Sequence, residues 1–211
     1  MMPTTPITKT STVQTPSSEY HLICAHGRDG NPQRNWWPWL KKQAESLGLR
    51  VDIPQLPGGE NPQLPQWVKI IDELVGNETE NTILVGHSLG CDAILRYVER
   101  ILSINSDNSK NNAPTIAGMI LVAPYFDETD INDLKDFGGK PIDVQKVKQI
   151  VEHKVAIFSD NDPHVPLQEG VAYQQRVGSK IIILKNRGHF TQEDGCTQLP
   201  QVLNAIKDII K

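Results

Sequence analysis

Apolar residues along the chain follow two rhythms, short continuous runs and stripes at three-and-four spacing, and the two alternate. The runs fall at residues 20–25, 50–53, 83–85, 116–123, 155–158 and 180–184, each bounded by polar, Gly or Pro positions, and predict six strands. Residues 116–123 form the longest run and predict a central strand buried on both faces, ended by Pro124. The stripes predict helices between them. Asn35 and Pro38 mark the start of one that covers residues 39–47 and stops at Gly48. Trp67, Ile70, Ile71, Leu74 and Val75 form the next stripe, and Ala93, Ile94, Tyr97, Val98, Ile101 and Leu102 the third. Val144, Val147, Ile150 and Val151, then residues 167–177, then 199–210, complete the series. Strands separated by helices imply an α/β three-layer sandwich with a mainly parallel six-stranded sheet. Right-handed crossovers then gather every strand's carboxyl end on one edge, where ligands bind in such folds.

Outside this alternation lie three irregular stretches. Residues 1–18 are rich in Ser, Thr and Pro and predict a disordered tail ahead of one domain spanning 19–211. Residues 105–112 predict a solvated loop, and the acidic stretch 125–139 a segment that overhangs the sheet edge. At 211 residues and 38% hydrophobic content the chain holds enough apolar mass for one sizeable core. A formal net charge of −4 gives no basic stripe, which argues against a nucleic-acid partner, and no apolar run approaches the roughly 18 residues of a membrane span. The tail lacks the apolar centre of a signal peptide. Cys24, Cys91 and Cys196 are odd in number and widely spaced, with no metal-ligand rhythm, so the expected setting is the reducing cytoplasm, with no metal and no cofactor.

Chemistry concentrates at the predicted strand ends. The stretch Gly86-His87-Ser88-Leu89-Gly90 lies between a strand and a helix, the context in which two glycines flanking a serine become informative. A serine lifted on a sharp turn needs a strained backbone, and side chains at 86 and 90 would collide with the adjoining elements. The new helix aims its unpaired N–H groups at the same spot. Ser88 is therefore a candidate nucleophile, and it needs a base. His189, in the turn Gly188-His189-Phe190 after the last strand, is the candidate. His87 is expected to point into the core. A metal shared by His26, His87 and His189 lacks supporting ligand spacing. The acid that orients the base is Asp162, followed by Pro163 and Val165-Pro166, with Asp160 and Asp127 as alternatives. The backbone N–H groups of Leu89 and of Arg28, which follows His26-Gly27 after the first strand, are the candidate oxyanion donors. Trp36 and Trp37 are candidates for a pocket wall beside Ser88, with Trp39 read as core and Tyr125 as a further pocket residue; the tryptophans also suit plain packing of the first helix.

These motifs resemble the α/β-hydrolase superfamily. The run His26-Gly27, the cluster Trp36-Trp37-Pro38-Trp39-Leu40-Lys41-Lys42, and Gly86 to Cys91 leading to Ile94-Leu95-Arg96 resemble, more narrowly, the small lidless serine hydrolases of the retinoblastoma-binding-protein and bacterial YdeN type. The resemblance spans about residues 20–211 and sets aside 106–112 as a peripheral insertion. It implies a minimal α/β-hydrolase fold lacking the first two strands of larger members, a Ser-Asp-His triad, and activity on small-molecule esters. An amidase or aminopeptidase with the same residues, or a protein-binding module with an unused triad, are the alternatives.

Overall fold

The computed structural model describes residues 20–105, 114–126, 137 and 141–211. The tail at 1–18, the loop at 106–112 and Asp127 lie outside the described residues, as does most of the predicted overhang at 125–139. Six strands form one sheet: β1 (His21–Ala25), β2 (Arg50–Asp52), β3 (Thr82–His87), β4 (Ile116–Val122), β5 (Val151–Ser159) and β6 (Lys180–Leu184). Their order is β2-β1-β3-β4-β5-β6, and every pairing is parallel. The helices are α1 (Trp37–Ser46), α2 (Leu64–Val75), α3 (Leu89–Asn105), α4 (Val144–Ile150), α5 (Gln168–Ala172) and α6 (Pro200–Ile209). Element order thus follows the apolar pattern, with two refinements. The stripe at 167–177 is the short α5 continued by a wider π turn at 173–177, and β5 begins at Val151, four residues before the predicted run.

The chain leaves β1 towards β2 in one direction and crosses back over β1 to reach β3. Right-handed crossovers taken in opposite directions put α1 on one face and α2 to α5 on the other. Consistent with this, α6 joins α1 and packs on β4, where Gly118 leaves room for the Ile209 side chain. The middle strands β1, β3 and β4 are buried along their whole length, as a sheet covered on both faces requires. The reversal of direction lies between β1 and β3, so the loops after these strands diverge and leave a crevice at the carboxyl edge.

Candidate active site

Segments that follow β1, β3, β4, β5 and β6 line the crevice. After β3, Ser88 takes φ 52°, a left-handed conformation that costs a non-glycine residue about 1–2 kcal/mol. The turn is held by Ser88 N–H donating to Val122 O at 3.0 Å and by Cys91 N–H donating to Ser88 O at 2.8 Å. A side chain at position 86 would approach Cys91 Cα to 2.8 Å, and one at 90 would overlie the Ala25 carbonyl. Both glycines are thus required by contact, as the motif implied. Leu89 is the first residue of α3, so its N–H has no acceptor within the helix.

The loop after β1 passes hard against this turn: a Cβ on Gly27 would lie 2.9 Å from Ser88 Cβ. His26 anchors it. Leu56 N–H donates to His26 Nε2 at 2.9 Å, which leaves the ring proton on Nδ1 to donate to Gly27 O at 2.8 Å. Burial lowers the His26 pKa, so the ring holds this neutral tautomer.

After β6, His189 sits in a turn whose neighbours Gly188 and Phe190 have φ 49° and 59°. Asp194 braces the turn by accepting from His189 N–H at 2.9 Å, from Thr191 N–H at 3.1 Å and from Thr191 Oγ1 at 2.7 Å. His87 braces it from below, with Nε2–H donating to His189 O at 2.8 Å. Burial, reinforced by the neighbouring His189 ring, pushes the His87 pKa down to about 3, so His87 is a neutral support for the turn and not a base.

Distance separates the two aspartates that follow β5. Asp162 places Oδ1 and Oδ2 at 3.0 and 2.9 Å from His189 Nδ1, with its side chain 1% exposed against 15% for His189. Oδ1 also accepts from His164 N–H at 2.8 Å and Val165 N–H at 3.1 Å, which fixes the carboxylate plane. Asp160 is exposed and accepts from Asn186 N–H at 2.8 Å, a clasp between the ends of β5 and β6.

Ser88, His189, Arg28, Leu89 and Tyr125 all open on one cavity of about 550 Å³. Trp36 and Trp37 do not, which corrects their reading as a pocket wall. Both are fully buried, their rings 3.9 Å apart, and Trp36 meets His87 edge-on at 6.2 Å behind the site. Covering two whole indoles gains more than lining a wet cleft, so the core takes them. Arg34 and Asn35, just before them in the chain, line the cavity instead, and Trp39 is half-buried against the core. Asp194, His164 and Glu169, the last two on the cavity wall, carried no sequence signal.

A model of the serine hydrolase family matches residues 22–208. The chain belongs to the serine hydrolase family. YdeN of Bacillus subtilis (strain 168) is 30% identical over 182 residues, covering 86% of this chain and 91% of YdeN. The serine hydrolase RBBP9 of Rattus norvegicus is 22% identical over 194 residues, covering 90% and 94%. The crystal structure of the B. subtilis ydeN gene product superposes with a TM-score of 0.79 at 28% identity, covering 90% of this chain and 98% of that one. The family assignment makes this chain a hydrolase with an α/β-hydrolase fold. Among its described residues, no helix is long and apolar enough to cross a membrane.

Proposed function

We propose that this serine hydrolase cleaves carboxylic esters of short acyl chains through Ser88, His189 and Asp162. The observation that carries the reading is the pair of short contacts from Asp162 to His189 Nδ1, on a ring that shares its cavity with the strained Ser88. Asp162 holds the proton on Nδ1 and so presents Nε2 as the base. As Ser88 Oγ attacks the ester carbonyl, Nε2 takes the hydroxyl proton and the carbonyl oxygen becomes an alkoxide. The N–H groups of Leu89 and Arg28 receive that charge, at about 3 kcal/mol of transition-state stabilisation per donor. Collapse breaks the bond to the alcohol, which leaves with the proton from Nε2. Water then attacks the acyl-enzyme, gives its proton to Nε2, and releases the acid while Ser88 Oγ recovers the proton.

Esters of short acids suit a cavity of about 550 Å³ lined by many polar groups. The thiols of Cys24, Cys91 and Cys196 are free and buried, in keeping with a cytoplasmic setting. Fluorophosphonate labelling and a series of p-nitrophenyl esters from acetate to laurate test the proposal. Labelling at Ser88, absent from Ser88→Ala, and hydrolysis that declines with acyl length are expected. A folded protein that neither labels nor turns over esters refutes it, and faster cleavage of aminoacyl amides than of esters refutes the substrate class.

A further inference from the structure

Hydrolysis through His189 fixes which part of the cavity meets the released alcohol. The alcohol oxygen must reach His189 Nε2 to take its proton, so the alcohol lies against the wall that carries the His189 turn. Two loops make this wall, and they are tied to each other. Arg34 and Asn35, on the loop after β1, line the cavity together with Thr191 and Glu193, on the loop after β6. Arg34 pairs with Glu193, Gln192 N–H donates to Asn35 Oδ1 at 2.9 Å, and Asn35 N–H donates to Gln192 Oε1 at 3.4 Å.

Donors and acceptors stand together on this wall. The Arg34 and Glu193 side chains are 46% and 59% exposed, so the pair is open to a ligand, with a guanidinium that donates beside a carboxylate that accepts. Asn35 Oδ1 is committed to Gln192 N–H, which leaves the amide NH2, with no hydrogen-bond partner among the described residues, as a further donor. With Arg28 and Asp29, the cavity lining from these two loops holds two cations and two anions. An ionic alcohol therefore meets a like charge for every opposite one, and an apolar alcohol strips water from charged groups and returns no hydrogen bond. A neutral alcohol with further hydroxyls fits, because each hydroxyl both donates and accepts.

We propose that Arg34, Asn35 and Glu193 form the leaving-group subsite and select esters whose alcohol carries a vicinal diol, as glycerol and sugars do. The selectivity rests on the hydrolytic roles proposed for Ser88 and His189. One hydroxyl accepts from the Arg34 guanidinium or the Asn35 NH2 while its neighbour donates to the Glu193 carboxylate, so a diol matches a paired cation and anion without separating them. Cleavage breaks the bond between the carbonyl carbon and the ester oxygen. The acyl group stays on Ser88 Oγ, and the diol-bearing alcohol departs with the proton from Nε2.

Three acetates test it: 1-acetylglycerol, methyl 6-O-acetyl-α-D-glucopyranoside and 2-methylbutyl acetate, the last being the glycerol ester with both hydroxyls replaced by methyl groups. Each kcat/KM is divided by the rate constant of the same ester with hydroxide, which removes the inductive effect of the extra oxygens. The better diol ester is expected to exceed 2-methylbutyl acetate by about tenfold or more, the size of one hydrogen bond to a charged group, and the order of the two diol esters tells glycerol from sugar as the source of the diol. A ratio near one for both overturns the proposal. In Arg34→Gln, and in Asn35→Asp, which keeps the oxygen for Gln192 N–H, the ratio should fall by about threefold or more. A role confined to holding the two loops lowers turnover of all three esters together and leaves the ratio intact, and that result overturns the assignment to these residues. Fluorophosphonate labelling separates the two levels. Ser88 that labels, in an enzyme without diol preference, removes the subsite alone, whereas a folded protein with no labelling and no turnover removes the hydrolytic roles as well.

Discussion

Replacing Asp162 by Asn tests the orienting acid more sharply than deleting it, because the surrounding hydrogen bonds dictate how the amide must lie. Asp162 Oδ1 receives two backbone donors, His164 N–H at 2.8 Å and Val165 N–H at 3.1 Å, while both oxygens lie about 3 Å from His189 Nδ1. In Asn the single oxygen is claimed by those two backbone groups, since an NH2 pointed at them leaves both unsatisfied in a side chain that is 1% exposed. The NH2 then faces His189. A donor facing Nδ1 forces that nitrogen to accept, which moves the ring proton to Nε2, the atom that must be free to take the Ser88 proton. An inverted tautomer of this kind costs about 10⁴-fold in kcat, or about 5.5 kcal/mol of barrier. Asp160→Asn provides the control. Asp160 uses one carboxylate oxygen to accept from Asn186 N–H at 2.8 Å on the exposed rim, a bond that Asn retains, so activity should stay within about threefold of wild type. The assay is kcat/KM on p-nitrophenyl acetate near neutral pH, with circular dichroism to verify folding. An Asp162→Asn variant that keeps more than about a tenth of wild-type activity refutes the assignment, as does an Asp160→Asn variant that falls as far.

Two further outcomes concern stability. Gly90→Ala places a methyl group on the Ala25 carbonyl and 2.7 Å from His26 O, both main-chain atoms, so it should cost about 3 kcal/mol or more, whereas Gly48→Ala, at φ 87° with open space around it, should cost about 1 kcal/mol in denaturant unfolding. Equal losses would refute the collision. Burial pushes the Asp92 pKa up to about 7, with Arg96 opposing, and its Oδ2 has no hydrogen-bond partner among the described residues. The unfolded carboxyl releases its proton near pH 4 and the folded one near 7, so the folded state binds more protons in that window and stability falls as pH rises through it. Asp92→Asn should therefore gain on wild type by a few kcal/mol between pH 4 and 8, read as the difference in unfolding free energy. A constant difference across that range refutes it.

Some of this molecule was legible in the chain because the governing contacts are local or periodic. Strand runs and helix stripes depend only on which faces of each element are apolar, so the order of β1 to β6 and α1 to α6 could be read before any coordinates. The turn at Ser88 depends on residues within two positions of it, and Gly86 and Gly90 mark it plainly. Parallel topology followed from the alternation, and it placed residues 88, 162 and 189 on one edge.

The rest is set by distances through space between loops far apart in sequence, which no local pattern encodes. Asp160 and Asp162 are chemically identical and two residues apart, and only the path of the β6 turn decides which faces His189. Trp36 and Trp37 carry the same composition whether they wall a cleft or fill a core, and only the packing behind His87 shows that they fill it. Glu169 lies in an ordinary amphipathic segment, and its place on the cavity wall exists only once α5 meets the segment that follows β4, where Phe126 N–H donates to it. Periodicity determines which side of an element is buried; what that side meets is determined by the tertiary fold, because burial and hydrogen bonding are properties of surfaces brought together and not of neighbours along the chain.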